Sequence, residues 1–499
     1  MTSPNPALTA SGQANTGAAW GVEPWAAPFA LDPEHDLAFD LAIERVEAAL
    51  RLGIDPSLEP IRALLAELGH PERAFACVQV AGTNGKTSTS RYTAALLAAE
   101  GYKVGLYTSP HLVCYTERVE VDAAPVTRAA FARGVSWALA AWERICARGD
   151  AVAAQGCTEF EMLTAAAMTI YAEQGVDVAV LEVGLGGRWD ATSAVRTVAA
   201  AVTGIGLDHT HLLGDTLEAI AAEKAGVIRR GAACVLGTNA VRPAAVLDVM
   251  LARCAETGCA PCAVVELAGG APADPEGLPE RAAGLPRAAF EIVRRPASLG
   301  EELVVDVEVE AADACGNRVV ASYPACTLAA PAYQAQNAAC ALALATATLG
   351  RALDAGLARE ALRSCEVPGR FEVLCKDPLV LLDACHNPQS AAAFAQAVTD
   401  AEPDRSRRPV LLLGALADKD HLGIVETVAP LFDRVVVTQS DSPRAVPAAE
   451  LAREVERVTG RAPEAVYPCV RDAVVGLCGE SFVGCGTITL IGELAALLR

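Results

Sequence analysis

The chain has 499 residues, 52% of them hydrophobic and 20% charged, a composition typical of globular proteins. This length exceeds what one ordinary core accommodates, so two or three domains are expected. Its 40 Lys and Arg residues against 61 Asp and Glu residues leave a net charge of −21, which disfavours a nucleic-acid partner because such a partner requires a basic face.

Residues 1–31 have neither a basic start nor an apolar run, so they are predicted to be a disordered N-terminal tail and not a secretion signal. The sequence contains no stretch of about 18 uninterrupted apolar residues, which disfavours a membrane span. Without a secretion signal, 17 cysteines scattered singly among apolar residues favour a reducing cytoplasm. Cys259 and Cys262 have CxxC spacing, but a single pair of this kind favours ordinary thiols over a metal or redox site.

Residues 32–365 alternate between helical and strand patterns at the spacing of a parallel sheet. Amphipathic helices are predicted between 32 and 72, then a strand at ACVQVA, a loop, and a helix that ends at Gly101. Further strands are predicted at KVGLYTS, DVAVLEVG and VAAAVTGIG. Residues 265–330 are turn-rich and then alternate like antiparallel strands, which predicts a small β-rich appendage on this domain.

A domain boundary is predicted after residue 365, where VPG interrupts the periodic pattern. Residues 366–499 return to the α/β rhythm, with strands predicted at LVLLDAC, PVLLLGAL, DRVVVTQ, AVYPC and TITLIG. The predicted fold is therefore α/β: a P-loop doubly wound N-terminal domain with its β-rich appendage, plus a smaller Rossmann-like C-terminal domain.

The stretch VAGTNGKTSTS at 80–90 stands between a predicted strand and a predicted helix, as a phosphate-binding loop does. Gly82 and Gly85 would let backbone N–H groups face phosphate oxygens, and Lys86 would contact the β and γ phosphates. The two hydroxyl residues that follow, Thr87 and Ser88, are both eligible to bind Mg²⁺. Val80 replaces the first glycine of the common pattern. An accidental glycine turn is the alternative, which the flanking strand and helix disfavour.

Other motifs follow in order: TSPHL at 108–112, ERVEVDAAPV at 117–126, TEFEMLTAAA at 158–167, LEVGLGGRWDATS at 181–193, TGIGLDHTHLLGDTLEAIAAEKAGVIR at 203–229, YQAQNAACA, VPGRFEVL, LLDACHNPQS and GALADKD. Together with the loop they resemble the Mur ligase superfamily of ATP-dependent amide-bond ligases, and within it the folylpolyglutamate synthase/dihydrofolate synthase family. A loop without its first glycine is normal in that superfamily. Trp189 and Tyr333 differ from the residues usual at their positions, so the resemblance leaves the substrate preference open.

The resemblance implies a reaction. ATP converts a carboxylate of dihydropteroate or of a reduced folate into an acyl phosphate, which the amino group of L-glutamate attacks. The implied ATP-binding residues are Gly82, Thr83, Asn84, Gly85, Lys86, Thr87, Ser88, Asn337, Arg370 and Asp383. The implied catalytic residues are Lys86, His209, Lys224, Arg370 and His386. The implied ligands of Mg²⁺ are Thr87, Ser88, Glu182, His209 and Lys224, with Lys224 carbamylated by CO₂. The implied folate-binding residues are Ser109, Pro110, His111, Arg188 and Asp190.

The resemblance further implies a cytoplasmic monomer with ATP bound between its two domains, so that closure assembles the site and excludes water. One alternative is a Mur-type ligase for a cell-wall precursor, disfavoured by TSPHL and by the short segment before the loop. The other is a non-catalytic ATP-binding regulator, disfavoured by the intact charged residues. Whether the enzyme adds the first glutamate, extends a tail or does both stays open, and the motifs favour both.

Overall fold

The computed structural model describes residues 20–31, 36–48, 57–274, 277–328 and 331–499. Residues 1–19 of the predicted tail lie outside the described residues. Residues 20–31 pack onto the protein: the ring of Trp20 lies 5.5 Å from that of Tyr102, and Trp25 Nε1 donates to the carbonyl oxygen of Leu68 at 2.8 Å. The prediction of a disordered tail is therefore wrong for residues 20–31, because their aromatic side chains bury apolar surface.

The larger of two sheets has twelve strands. They are β1 Ala76–Ala81, β2 Val104–Tyr107, β3 Val119–Val121, β4 Ala124–Pro125, β5 Val178–Glu182, β6 Thr197–Gly204, β7 Ala233–Asn239, β8 Pro261–Ala268, β9 Ala271–Pro272, β10 Arg287–Arg294, β11 Leu303–Ala312 and β12 Arg318–Leu328. Their order is β12-β11-β10-β8-β7-β6-β1-β5-β2-β3-β4, with β9 paired to β8. The central strands are parallel, and every residue of β1 and β5 is buried because helices cover both faces.

The helices that accompany this sheet are α1 Phe39–Ala48, α2 Glu59–Glu67, α3 Lys86–Ala99, α4 Arg128–Arg148, α5 Glu159–Gln174, α6 Thr210–Leu213, α7 Leu217–Lys224, α8 Ala244–Thr257, α9 Glu280–Ala283, α10 Tyr333–Leu349 and α11 Ala355–Ser364. Helices α3 and α10 pack on one face of the central strands, and α4 and α5 pack on the other. Within the described ranges, no helix is both long enough and apolar enough to cross a membrane.

The smaller sheet has six strands in the order β13-β14-β18-β15-β16-β17. They are β13 Glu372–Lys376, β14 Leu379–Asp383, β15 Val410–Leu413, β16 Val435–Val437, β17 Ala465–Val466 and β18 Phe482–Cys485. The helices are α12 Pro388–Ala401, α13 His421–Val428, α14 Ala448–Thr459, α15 Val470–Gly476 and α16 Ile488–Leu498. All strand pairs but β13–β14 are parallel.

The α/β fold class with a large sheet and a second, smaller one is confirmed. One strand prediction is wrong: TITLIG is helical, because the side chain of Thr487 accepts the backbone N–H of Thr489 at 3.0 Å and starts α16. Within 265–330, strands β10–β12 are antiparallel, but they extend the edge of the large sheet through β8 and form no separate sheet. The boundary between 365 and 366 stays a prediction.

Candidate functional site

The phosphate-binding loop joins β1 to α3 and needs glycine at two positions. Gly82 has a φ of 152°, and a Cβ there would stand 1.9 Å from Thr203 Oγ1. Gly85 has a φ of 83°, and its Cβ would stand 2.5 Å from Asn337 Oδ1. A side chain at either position would collide with its neighbour and strain the backbone. The loop is therefore shaped by contacts with β6 and α10 as well as by its own sequence.

A cavity of about 360 Å³ lies over this loop and is lined from both sheets. Most site residues predicted from the sequence line it: Gly82, Thr83, Asn84, Gly85, Lys86, Thr87, Ser88, Ser109, Pro110, Glu182, His209, Lys224, Asn337, Arg370, Asp383 and His386. Loops at the carboxyl ends of parallel strands are where α/β folds bind ligands. This cavity is therefore the candidate nucleotide site.

The hydroxyl of Thr87 and the carboxylate of Glu182 lie side by side in this cavity. The hydroxyl of Thr87 donates to Glu182 Oε1 at 2.9 Å, and the backbone N–H of Ser109 donates to Glu182 Oε2 at 3.3 Å. Burial raises the pKa of Glu182, while Lys86 and the two hydrogen bonds lower it. A carboxylate beside a hydroxyl suits Mg²⁺, which takes few protein ligands and binds phosphates and water as well. Within the described ranges, no cluster of three His, Cys, Asp or Glu side chains could hold a metal by itself.

Positive charge surrounds the loop. The ammonium of Lys86 donates to the carbonyl oxygen of Thr83 at 3.3 Å, and burial lowers its pKa. Lys224, at the end of α7, is 5% exposed and donates to the carbonyl oxygen of Gly82 at 3.0 Å. Burial and then the nearby Lys86 lower the pKa of Lys224 to about 7. Arg370 from the other half of the chain also lines the cavity, where it donates to a backbone carbonyl at 2.7 Å.

Two histidines face the same space. Burial, and then Arg370, lower the pKa of His386 to about 4, so its imidazole is neutral at pH 7. His386 Nδ1 lies 3.0 Å from the carbonyl oxygen of Ala384. Burial also lowers the pKa of His209, whose Nε2 lies 3.8 Å from the carboxylate of Asp208. Neutral imidazoles can bind a metal ion or accept a proton.

Asp383, which also lines the cavity, stands at the end of β14. The hydroxyl of Tyr333 donates to its Oδ2 at 2.8 Å. Burial raises the pKa of Asp383 to about 6, against the lowering effects of Arg370 and Tyr333. The amide of Asn337, one turn along α10, is held by Gln334 at 2.8 Å.

Among the residues absent from the predicted site, Tyr333, Asp208, Gln389 and Lys419 line this cavity, and a fifth, Asn387, donates to Asn84 Oδ1 at 3.1 Å. The ammonium of Lys419 lies 3.2 Å from Asp208 Oδ1, and Asn84 Nδ2 donates to Gln389 Oε1 at 2.8 Å. Each of the five stands within or next to one of the motifs of the sequence. Their pairing across the two halves has no local signal, because the partners lie far apart along the chain.

A second cavity of about 980 Å³ adjoins the first and shares Thr87, Ser109, Pro110, Arg370 and Ile488 with it. Among the predicted folate-binding residues, Ser109, Pro110 and His111 line it. Nε of Arg118 donates to His111 Nδ1 at 2.9 Å, and burial, then this arginine, lower the pKa of His111 to about 4. Ligands in the two cavities would meet at the shared residues.

Arg188 and Asp190 line neither cavity, which differs from the prediction that they bind substrate. Arg188 is exposed, and its Nε lies 3.8 Å from the carboxylate of Glu223. Asp190 is buried and accepts the backbone N–H groups of Leu185 and Thr192, both at 3.0 Å. The Asp190 carboxylate therefore stabilises its own glycine-rich turn.

The CxxC cysteines have ordinary protein surroundings. The thiol of Cys259 donates to the carbonyl oxygen of Arg229 at 3.0 Å, and Cys262 is buried in β8. Both are free thiols.

Comparison with known families gives two matches: the Mur ligase middle domain over residues 80–236, and the Mur ligase, glutamate ligase domain over residues 369–477. The chain is similar to the dihydrofolate synthase/folylpolyglutamate synthase of Mycobacterium tuberculosis. The two are 35% identical over 453 residues, which cover 89% of this chain and 85% of that protein.

Solved structures agree with these matches. The folylpolyglutamate synthase of Mycobacterium tuberculosis complexed with ADP and AMPPCP superposes with a TM-score of 0.75 at 31% identity, covering 92% of this chain and 99% of that one. E. coli FolC in complex with DHPP and ADP superposes with a TM-score of 0.73 at 28% identity, covering 94% of this chain and 99% of that one.

Proposed function

This chain belongs to the folylpolyglutamate synthase/dihydrofolate synthase family of ATP-dependent ligases, and we propose that it joins the amino group of L-glutamate to a carboxylate of dihydropteroate or of a reduced folate. The observation that carries the proposal is the convergence of the P-loop, Glu182, Arg370, Asp383 and His386 on one cavity. The proposal includes a cytoplasmic monomer that both starts and extends the glutamate tail.

In the proposed reaction, a carboxylate oxygen attacks the γ-phosphorus of ATP and the bond to ADP breaks, which leaves an acyl phosphate. The amine of glutamate then attacks the acyl carbon, and a C–N bond forms. The C–O bond to phosphate breaks with its electron pair, and the amine loses a proton. Phosphoryl transfer between two anions needs positive charge more than a protein nucleophile, and Lys86 and Arg370 supply it. His386, neutral at pH 7, would contact the phosphate or the incoming glutamate.

The donor set fits Mg²⁺. Glu182 and the hydroxyl of Thr87 would hold the ion, and Ser88 and His209 line the same cavity. When bound, Mg²⁺ neutralises charge that develops on the β and γ phosphates.

Lys224 would carry a carbamate as part of the same site. Its pKa of about 7 leaves a substantial neutral fraction at physiological pH. The neutral amine attacks the carbon of CO₂, an N–C bond forms, a proton leaves, and the product is an anion beside the loop. Incubation with isotopically labelled CO₂, followed by a carbonyl signal that Lys224→Arg abolishes, would identify the carbamate.

The test of the proposed function is phosphate release with MgATP and glutamate, given either dihydropteroate or a reduced folate with one glutamate. We expect activity with both substrates and a product one glutamate longer by mass. Activity with one substrate alone would restrict the enzyme to that half of the reaction. ADP binding without phosphate release in the presence of either substrate would favour the non-catalytic regulator. Lys86→Met is the inactive control.

A further inference from the structure

Asn387 connects the two halves of the nucleotide cavity through a single buried side chain. It is 4% exposed and stands at the N-cap of α12. Its Oδ1 accepts the backbone N–H of Ser390 at 2.8 Å, which caps the helix. Its Nδ2 donates to Asn84 Oδ1 at 3.1 Å and lies 3.4 Å from Asp208 Oδ2. The amide oxygen of Asn387 therefore caps its own helix, while the amide nitrogen contacts residues from the N-terminal half of the chain.

The two acceptors are the parts of that half that surround the phosphate site. Asn84 belongs to the P-loop, and Asp208 follows β6 next to His209. Asn387 itself immediately follows His386 and lies four positions after Asp383. Its contacts thus set the distance between the P-loop and the strand end that carries these two site residues.

Neighbouring contacts reinforce this junction. Asn84 Nδ2 donates to Gln389 Oε1 at 2.8 Å, and a Cβ added to Gly206 would stand 2.2 Å from the same oxygen. The glycine therefore leaves room for Gln389 to reach the loop. Lys419 also pairs with Asp208 at 3.2 Å.

We propose that Asn387 is a positioning residue that holds the C-terminal half of the site in register with the P-loop through Asn84 and Asp208. Its effect on ligation rests on the proposed function. Its effect on the junction between the two halves does not, so the two can be measured separately.

The sharpest test is Asn387→Asp, which replaces one NH₂ by oxygen. The carboxylate still accepts the N–H of Ser390, so the helix cap is preserved. Its second oxygen instead faces Asn84 Oδ1 and the carboxylate of Asp208, and the like charges repel. Loss of a hydrogen bond to a charged group, together with this repulsion, is expected to lower kcat/KM for ligation about tenfold or more. Hydrogen exchange should also accelerate, without ligand, in peptides spanning 82–90 and 384–392.

Two variants separate this role from capping and from general damage. Asn387→Ser keeps a capping oxygen but cannot reach Asn84, so it should reproduce the faster exchange with little loss of thermal stability. Gln396→Ala removes an exposed glutamine of the same helix, whose Nε2 contacts Asp400 at 2.6 Å, and should leave exchange and kinetics unchanged.

The decisive result is rescue. Asp208→Asn in the Asn387→Asp background exchanges donor and acceptor at the contact between these two side chains. Hydrogen exchange at the junction should therefore slow partway back to the parent rate, because Asn84 Oδ1 still faces the carboxylate and Lys419 loses its charged partner. If Asn387→Asp leaves exchange at the junction unchanged, or if Asp208→Asn adds to its effect without rescue, the proposed role is wrong. If the parent protein has no ligase activity, the proposed function fails, while the exchange measurements still decide the role of Asn387.

Discussion

Replacing Tyr333 by phenylalanine removes one hydroxyl from the lining of the candidate nucleotide site. This hydroxyl donates a hydrogen bond to Asp383 Oδ2 at 2.8 Å. Burial already raises the pKa of Asp383 to about 6, and the hydrogen bond from Tyr333 opposes that rise because it stabilises the charged form. Without the hydroxyl, the carboxylate should hold its proton more tightly.

The size of the change follows from the strength of such a bond. A hydrogen bond to a charged group contributes about 1.5–3 kcal/mol, and one pKa unit corresponds to about 1.4 kcal/mol. We therefore expect the pKa of Asp383 to rise by roughly one to two units in Tyr333→Phe. At pH 7 the ionised fraction would fall from about nine-tenths to half or less. The parent and the variant should converge above about pH 9, where Asp383 is ionised in both.

ADP affinity is measured by calorimetry at several pH values for the parent protein and for Tyr333→Phe. The difference in binding free energy between the two proteins is compared across pH, because titration of the nucleotide itself then cancels. Tyr333→Phe should bind ADP up to about tenfold more weakly at pH 7, with the loss shrinking at higher pH. In the Asp383→Asn background the hydroxyl should have no pH-dependent effect. An equal loss of affinity at every pH would refute the role assigned to the titration of Asp383.

Four further changes test the rest of the site. Asp383→Asn should raise the melting temperature more at pH 8 than at pH 4. Because the native pKa of Asp383 is raised to about 6, the contribution of this carboxyl group to stability falls as pH rises from about 4 to 6. The amide of the variant does not ionise and so avoids this loss, which is worth about 3 kcal/mol. Gly85→Ala should weaken ADP binding at least about tenfold, because a Cβ there would stand 2.5 Å from Asn337 Oδ1 at a φ of 83°. Asp190→Ala should lower thermal stability by about 2 kcal/mol or more, since it leaves buried backbone donors without a partner, and a loss of folate affinity at unchanged stability would contradict this. Arg188→Ala should change phosphate release by less than about twofold, because the side chain is exposed, and a tenfold loss would restore its predicted role.

Local patterns explain which sequence predictions hold. The glycines of the P-loop, the buried strand before it and the helix after it are neighbours in the chain, so their geometry follows from backbone preferences of a few residues. The prediction of a strand at TITLIG failed because a short apolar run fits a strand or a helix equally well. The N-cap at Thr487 stabilises the helix. Asp190 shows the same limit for function: a carboxylate in a glycine-rich turn has the right chemistry to bind a ligand, yet its own backbone occupies it.

The sequence alone determined the fold class, the phosphate-binding loop and the resemblance to a ligase family, because strand and helix periods and closely spaced motifs are written within short stretches of chain. The tertiary structure decided which motif residues share a cavity and how they are charged there. Asn84 and Asn387 are 303 positions apart and meet at 3.1 Å, while Lys224 and Asp383 titrate near neutrality only because the fold buries them. Contact and burial depend on how distant segments pack, and no local pattern carries that information.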